Sequence, residues 1–233
     1  MRPWPVDSPW AGGSPTVGVV IVNWNTCDLL ARLLYGLFTV VTPGSITELV
    51  VVDNGSDDGS VELGSALSEA GLLHLVANTE QRYHGPGPTQ GVNLLAGRAE
   101  TRPVDLVWVL DSDVLILRPE VITDAASALV ATGAVLAAER DDYAPGPPAL
   151  TTQPLALCST LFDPAVVWQQ GHSPFRQDGE PARHLLVDLR AGGHGLSAFP
   201  FCTEGYLLHV GRGTLAEVAR RDDRSNEYAE WAE

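Results

Sequence analysis

Residues 106–113 read Leu-Val-Trp-Val-Leu-Asp-Ser-Asp, an apolar run that ends in two aspartates separated by one residue. The run has the length and composition of a buried strand. Alternate residues of an extended chain point to the same side, so Asp111 and Asp113 could bind one hard divalent cation together at the edge of a sheet. Taken alone, the pattern favours an ordinary turn after a strand, because aspartates are common there.

Strand and helix signals alternate from Thr16 to Arg118, which is typical of parallel α/β units. The predicted strands are 17–23, 48–53, 72–77 and 106–110, and the predicted helices are 27–39, 60–70 and 89–99. Open sheets of this kind bind ligands beyond the carboxyl ends of their strands. Asn23, Asp53 and Asp111 all occupy such ends, so a ligand site is expected along that edge.

The second half of the chain has a less regular pattern. It predicts helices at 121–131, 182–191 and 211–221, strands at 134–138, 155–162 and 197–201, and a loop rich in proline and glycine at 143–154. We therefore predict one α/β domain with a mostly parallel sheet and helices on both faces. Its parts are an N-terminal arm (1–15), a first half (16–118), a second half (119–221) and a charged tail (222–233).

The charge balance of the 233 residues is strongly acidic. There are 29 acidic and 14 basic residues, all of the latter arginines, and the formal net charge is −15. Nucleic acids and anionic membranes would be repelled by such a surface, so neither is an expected partner. The three cysteines have neither paired nor metal-ligand spacing, which favours a reducing, cytoplasmic setting. We expect no stable membrane insertion, because no apolar run approaches the length of a membrane helix, and no signal peptide, because the proline-rich start 1–15 lacks the required basic and apolar regions.

Three motifs together resemble a known family. They are Val-Val-Ile-Val-Asn-Trp-Asn at 19–25, Val-Val-Val-Asp-Asn-Gly-Ser-Asp-Asp-Gly-Ser at 50–60 and Val-Leu-Asp-Ser-Asp at 109–113. In order and spacing they resemble the inverting nucleotide-sugar transferases of glycosyltransferase family 2, which have the GT-A fold. The resemblance implies a Rossmann-like GT-A domain that moves a sugar from a nucleoside diphosphate donor, with a UDP-sugar favoured, to an acceptor hydroxyl with inversion.

The same resemblance implies a metal site. Leu-Leu-His-Val-Gly-Arg-Gly-Thr at 207–214 is similar to the late family element that supplies a histidine on the metal side. Asp111, Asp113 and His209 are the implied ligands. Mixed carboxylate and imidazole ligands suit Mn²⁺ better than Mg²⁺, although Mg²⁺ is possible. The alternative for His209 is a packed or hydrogen-bonded histidine at a strand end.

The nucleoside end of the site is expected at the ends of the first two strands. Asp53 can accept a hydrogen bond from a base N–H or a ribose hydroxyl, or else it caps the turn that follows. Asn23 and Asn25 can bond the base or hold their own loop. Ser112, which lies between the two aspartates, is counted with the residues that contact the donor, whereas Asp57 and Asp58 are expected to serve the turn and the helix start.

The segment 81–93 precedes and opens a predicted helix, and the resembled family places this region against the nucleotide and its diphosphate. Arg82 and Asn93 are the implied contacts, because a helix start and an arginine both suit an anion. The alternative is a glycine-proline loop with an exposed arginine. The prolines remove some of the N–H donors that a phosphate would use.

An inverting transfer requires a general base that takes the acceptor's proton. The comparable acidic segment here, 175–181, departs from the family's usual Glu-Asp pair. Asp178 is the first candidate for the base and Glu180 the second, while Asp188 and Glu204 are outside candidates. A solvated loop carboxylate is the alternative for Asp178.

The predicted acceptor is a small metabolite, a glycan end or a carrier-bound molecule, and the sequence leaves the oligomeric state undetermined. Two other functions are compatible with parts of the pattern. One is a sugar-phosphate nucleotidylyltransferase, which would be expected to have a basic, glycine-rich first loop that residues 23–28 lack. The other is a non-catalytic module that binds a nucleotide or a sugar.

Overall fold

The computed structural model describes residues 15–80, 85–99, 103–140, 155–168, 175 and 182–210. Seven strands form the main sheet in the order β3-β2-β1-β4-β7-β6-β8, and β5 pairs with β9 in a small second sheet. All strands of the main sheet are parallel except β7, which runs antiparallel to both of its neighbours. The fold class predicted from the sequence is confirmed.

The bounds of the elements are as follows. The strands are β1 (Val17–Asn23), β2 (Ile46–Asp53), β3 (His74–Ala77), β4 (Leu106–Asp111), β5 (Val114–Ile116), β6 (Ala134–Arg140), β7 (Leu155–Phe162), β8 (Gly195–Ala198) and β9 (Leu207–His209). The helices are α1 (Cys27–Thr39), α2 (Ser60–Glu69), α3 (Pro86–Arg98), α4 (Val121–Thr132), α5 (Pro164–Val167) and α6 (Arg183–Ala191).

Both faces of the main sheet are covered by helices. Val19 and Ile21 of β1 belong to the core on the side of α1 and α4, whereas Val20 belongs to the core on the side of α3 and α6. Successive residues of a strand point to opposite faces, so a strand covered on both sides must be apolar at every position. This explains the continuous apolar run of β1 that the sequence shows.

Helix α3 approaches the sheet closely because it has glycines on its inner face. A Cβ at Gly91 would lie 2.3 Å from Val20 Cγ1, and one at Gly87 would lie 2.9 Å from Val22 Cγ1. Later in the helix, Leu95 contacts the position of Gly18. Helix α3 therefore starts at the carboxyl edge of the sheet and runs back toward the amino ends of the strands.

The predicted bounds of β1, α1 and β7 agree with the structure. Helix α3 begins three residues earlier than predicted, at Pro86, because a proline in the first turn costs no helical hydrogen bond. Strand β8 ends at Ala198, whereas the prediction placed a strand at 197–201; Phe199 and Phe201 are core residues of the following segment. The short strands β5 and β9 were not predicted. The predicted loop 143–154, the helix 211–221 and the tail lie outside the described residues.

The three cysteines form no disulfide; Cys158 is buried, whereas Cys27 and Cys202 are half-buried. Among the described helices, none combines the length and the apolar character needed to cross a bilayer.

Candidate active site

Three strand ends meet at one edge of the sheet. Asn23 at the end of β1 lies opposite Asp53 at the end of β2, and Val22 lies opposite Asp111 at the end of β4. This register brings the predicted nucleoside contacts and the predicted metal ligands to the same level of the sheet. It is the carboxyl edge, where open α/β sheets bind ligands.

The carboxylate of Asp53 is fully engaged by the turn that follows β2. Its Oδ1 accepts hydrogen bonds from the backbone N–H groups of Gly55 (3.1 Å) and Ser56 (2.8 Å). Its Oδ2 accepts from Ser56 Oγ (2.7 Å) and Asn23 Nδ2 (2.8 Å). A carboxylate has about four acceptor sites, and Asp53 is 0% exposed. A direct bond from Asp53 to a nucleoside therefore requires the exchange of at least one of these donors.

The first loop of the site is held by reciprocal polar contacts. Asn25 has a left-handed backbone with φ of 52°, and its Oδ1 accepts from the backbone N–H of Asp57 at 2.9 Å. Asp58 accepts from Cys27 N at the start of α1 and from Ser60 N and Oγ at the start of α2. Asp58 thus serves both helix starts, as the sequence predicts, and Asp57 contributes its backbone N–H to the turn.

Two hydroxyls connect Asn23, a predicted nucleoside contact, to the segment that contains the predicted metal ligands. Thr26 Oγ1 lies 2.7 Å from Asn23 Oδ1 and 2.7 Å from Ser112 Oγ. Both Thr26 and Ser112 are 6% exposed. The hydroxyl of Ser112 is therefore directed into the protein, and its predicted contact with the donor stays a prediction.

Asp111, Asp113 and His209 form a cluster that suits a divalent metal. Their ligand atoms lie within 4.8 Å of one another, and His209 Nε2 is 3.2 Å from Asp113 Oδ1. The β5–β9 pairing creates this arrangement, because Val114 lies opposite His209 and the N–H of Val210 donates to the carbonyl of Asp113. Two carboxylate oxygens and an imidazole nitrogen are a donor set that fits Mn²⁺.

The hydrogen bond to Asp113 raises the pKa of His209 above 6.5. The negative charges of Asp113 and Asp111 act in the same direction, whereas burial opposes them. The side chain of His209 is 35% exposed, so it is reachable from solvent. A proton and a cation would compete for this nitrogen.

Contacts away from the edge hold His209 in place. Tyr206 donates its hydroxyl to Asp124 Oδ2 (2.7 Å) on α4, and its ring lies 4.1 Å from the guanidinium of Arg118. Glu139 of β6 accepts from the N–H of Cys202 and the hydroxyl of Thr203 in the segment before β9. His209 therefore lies on a strand that is fixed at several points.

The structure does not bring Asn93 to this edge. Asn93 is exposed on α3, beyond Gly91, which packs at the level of Val20 in the middle of β1. The amide that reaches the edge is Gln90, which exchanges hydrogen bonds with Asn78 after β3 (2.8 and 3.1 Å). Asn93 lies three residues after Gln90 in α3 and is exposed where Gln90 is half-buried, and the predicted contact of Asn93 with the nucleotide stays a prediction.

Arg82, Asp178 and Glu180 lie outside the described residues. Helix α6, which follows Asp178 and Glu180 in the chain, leads to β8, whose first residue Gly195 pairs with Ala134 at the amino end of β6. The first turn of α6 therefore faces the carboxyl edge. Asp188 and Glu204 are both exposed, the first in α6 and the second in the segment before β9.

The sequence-based prediction missed three polar residues that build this edge: Thr26, Ser56 and Gln90. The signal for Ser56 was available, because an Asp-Asn-Gly-Ser sequence favours a turn in which the aspartate accepts from the residue three positions later. Thr26 gave a misleading signal, since a threonine just before a helix is ordinarily a capping residue.

A groove of about 290 Å³ lies at the opposite edge of the sheet. It is lined mainly by apolar residues from the end of α1 and the start of β2, including Phe38 and Ile46. It contains none of the predicted site residues, so we place the candidate active site at the carboxyl edge, where the polar groups converge.

Comparison with known proteins agrees with this architecture. The model of the family "Glycosyl transferase family 2" matches residues 18–175, which is more than half of the chain. The chain belongs to glycosyl transferase family 2. Among curated proteins, none has a sequence that matches it significantly.

Several solved structures share the fold of this family member at low sequence identity. The mannosyltransferase PcManGT from Pyrobaculum calidifontis, in complex with GDP-Man and Mn²⁺, has a TM-score of 0.60 and 17% identity over 91% of this chain. S. aureus TarS 1-349 has a TM-score of 0.59, 15% identity and 93% coverage. Glucosyl-3-phosphoglycerate synthase from Mycobacterium tuberculosis, in complex with Mn²⁺, UDP and glucosyl-3-phosphoglycerate, has a TM-score of 0.51 and 19% identity over 78% of this chain. The chain spans 65%, 68% and 68% of their respective lengths.

Proposed function

We propose that this chain is a metal-dependent glycosyltransferase that moves a sugar from a nucleoside diphosphate sugar to an acceptor hydroxyl with inversion. The observation that carries the proposal is the cluster of Asp111, Asp113 and His209 beside the ends of β1 and β2. Family membership and the Mn²⁺ and nucleotide complexes of the similar structures support it. A UDP-sugar is the favoured donor, and GDP- and dTDP-sugars are the alternatives to test.

The residues fit Mn²⁺ by the chemistry of their ligand atoms. Asp111, Asp113 and His209 would hold the ion, which when bound supplies positive charge that stabilises the leaving diphosphate. Asn23 and the turn held by Asp53 would position the nucleoside. Because β1, β2 and β4 are neighbouring parallel strands, both ends of the donor would lie on one rigid sheet edge, so that binding orients the anomeric carbon toward the acceptor.

A carboxylate near the start of α6 would take the proton from the acceptor hydroxyl as its oxygen attacks the anomeric carbon. Asp178 is the first candidate and Glu180 the second. Their place in the chain just before α6, whose first turn faces the carboxyl edge, supports this assignment.

The proposed function is tested by nucleotide binding with and without metal. Isothermal titration of the wild-type protein with UDP, GDP and dTDP should give tighter binding in Mn²⁺ than in EDTA for one of the three, and the matching sugar nucleotide should be slowly hydrolysed in Mn²⁺. Equal affinity in both buffers for all three would contradict the proposal. Release of pyrophosphate from a nucleoside triphosphate and a sugar 1-phosphate would instead indicate a nucleotidylyltransferase.

The base is tested by isosteric substitution. Asp178→Asn should lower turnover by about 10²- to 10⁴-fold, because a general base contributes that much to the rate, while Mn²⁺-dependent nucleotide affinity stays near wild type. Glu180→Gln is the matched variant, and it should retain most of the activity. If Glu180→Gln is inactive and Asp178→Asn is not, the base is Glu180. If both remain active, Asp188 and Glu204 are the next carboxylates to replace.

A further inference from the structure

A row of four buried residues crosses the candidate site from the metal side to the nucleoside side: Ser112, Thr26, Asn23 and Asp53. The distances between successive side chains are 2.7 Å, 2.7 Å and 2.8 Å. Their exposed fractions are between 0% and 6%. Water therefore competes little for these hydrogen bonds, and the row connects the ends of β4, β1 and β2.

The direction of each hydrogen bond follows from the groups involved. Asp53 accepts all of its hydrogen bonds described above, so Asn23 turns its NH₂ group toward Asp53 and its carbonyl toward Thr26. The single hydroxyl proton of Thr26 goes to that carbonyl, so the proton between Thr26 and Ser112 belongs to Ser112. All three bonds point toward Asp53, and hydrogen bonds aligned in this way inside a protein strengthen one another.

Thr26 has the position of a helix cap but does not act as one. It immediately precedes α1, yet its side chain makes no capping hydrogen bond to the helix. The first N–H of the helix, that of Cys27, donates to Asp58 Oδ2 at 2.7 Å. The hydroxyl of Thr26 therefore does not cap the helix, as threonine ordinarily does at this position, and it connects Ser112 to Asn23 by hydrogen bonds.

We propose that Thr26 is a positioning residue that fixes the metal ligands relative to the nucleoside end of the site, and so couples cation binding to nucleotide binding. This inference rests on the proposed function. Ser112 lies between Asp111 and Asp113, so a bond that fixes Ser112 also constrains the backbone of both ligands. The nucleoside and the diphosphate belong to one molecule, so both are bound well only when the two ends of the site are held at the matching separation. The coupling acts in both directions.

The test is Thr26→Val, which keeps the shape of the side chain and removes the hydroxyl. The quantity measured is the ratio of the Kd in EDTA to the Kd in Mn²⁺ for UDP, GDP and dTDP, by calorimetry. The variant removes the bonds of Thr26 to both Ser112 and Asn23, and it should lower this ratio by at least roughly threefold to tenfold, the range for a single buried hydrogen bond. Thr26→Ser restores the hydroxyl and should stay within about twofold of the wild-type ratio. Thr39→Val is the matched control at the far, exposed end of α1.

Each outcome decides the proposal. An unchanged ratio in Thr26→Val, or an equal loss of affinity in both buffers, would overturn the coupling role while leaving the proposed function intact. A wild-type protein without Mn²⁺-enhanced binding would overturn both. If Thr26→Val does not fold, Ser112→Ala removes the proton donor of the same bond, and an unchanged ratio in that variant overturns the proposal. Where Thr26→Val folds, adding Ser112→Ala should lower the ratio of the two Kd values little further, because both changes remove the same Thr26–Ser112 hydrogen bond.

Discussion

Asp53 and Asp113 are buried aspartates at the same edge of one sheet, but their carboxylates have different neighbours. Asp53 is 0% exposed, and hydrogen-bond donors of its own turn and of Asn23 surround it. Asp113 is 8% exposed and lies in a cluster with the carboxylate of Asp111 and the imidazole of His209. The protein itself satisfies the charge of Asp53, whereas the second arrangement collects two carboxylates that repel each other and that a cation would stabilise.

The comparison predicts that Asp53 contributes mainly to the stability of the fold and Asp113 mainly to cation binding. Asp53 should support the folded state whether or not metal is present, because its partners are part of the chain. Asp113 should matter chiefly when a cation binds. The same conservative change, aspartate to asparagine, can therefore be used at both positions.

The largest effect is expected for Asp113→Asn. Changes in groups that only support metal ligands cost about 10- to 100-fold in metal affinity, so the change of a ligand itself should weaken Mn²⁺ binding by at least about 100-fold. Calorimetry with Mn²⁺ measures this. At a pH above the raised pKa of His209, where the ion pair with Asp113 is absent, the melting temperature in EDTA should stay near wild type. Glu69→Gln, an exposed change at the end of α2, is the control. Unchanged Mn²⁺ affinity in Asp113→Asn would remove Asp113 from the metal site.

The next effect is expected for Asp53→Asn, which replaces one acceptor oxygen by an NH₂ group that faces other donors. Loss of hydrogen bonds to a buried charged group should lower the free energy of unfolding by about 2 kcal/mol, or the melting temperature by about 4–8 °C for a chain of this size. The loss should be the same in EDTA and in Mn²⁺, and nucleotide affinity should fall by similar factors in both. If Asp53→Asn has the melting temperature of the wild type but a lower nucleotide affinity, Asp53 contacts the ligand and contributes little to the stability of the fold.

A third effect concerns pH. The pKa of His209 is raised above 6.5, so its proton persists to higher pH than in a free histidine. The protonated pair with Asp113 stabilises the metal-free protein below the unfolded pKa, and this contribution is lost as pH rises through the folded pKa. Mn²⁺ must displace the same proton, so its affinity should rise by about tenfold per pH unit up to that pKa and then level off.

Melting curves with and without Mn²⁺ between about pH 6 and pH 8 measure both slopes. The metal-free melting temperature should fall across this window while the shift caused by Mn²⁺ grows. His209→Gln should flatten both trends. A Mn²⁺ shift that is independent of pH in the wild type would show that His209 is not a ligand.

The sequence predicted the first half of the molecule well because its signals are local. The apolar runs of β1 and β4 are continuous, since both faces of the sheet are covered, and the polar residues that end them mark the carboxyl edge. The cluster of Asp111, Asp113 and His209 could be anticipated only through the family resemblance. The physical link between its members is the pairing of Val114 with His209, two residues that are far apart in the chain.

The sequence failed where the role of a residue depends on a competing partner. Thr26 immediately precedes a helix, where threonine ordinarily caps, but its hydroxyl bonds to Asn23 and Ser112 and makes no cap. Asn93 was assigned through the family resemblance; it lies exposed on α3, whereas the amide of Gln90 bonds to Asn78 after β3. The spacing of residues along the chain predicts neither result, because each depends on hydrogen bonds to other segments of the fold.

The smallest expected effect tests whether Asp58 belongs to the structural or to the binding part of the edge. One carboxylate serves two helix starts, accepting from Cys27 N (2.7 Å) in α1 and from Ser60 N (3.1 Å) in α2. Asp58→Asn keeps one acceptor oxygen and loses the charge, so it should destabilise the fold by about 1 kcal/mol, or about 2–4 °C in melting temperature. Asp28→Asn, an exposed change in the first turn of α1, should cost less, because it removes only a favourable charge near the helix start.

Nucleotide affinity in Asp58→Asn should stay within about twofold of wild type in both EDTA and Mn²⁺, as expected for a residue that acts on the helix starts and not on the ligand. A variant that melts normally but loses Mn²⁺-dependent affinity would move Asp58 to the metal side of the comparison. In that case the loop between β1 and α1 would contribute to binding the donor's phosphates together with the end of β4. The cation-dependent part of the site would then include the start of α1 as well as Asp113.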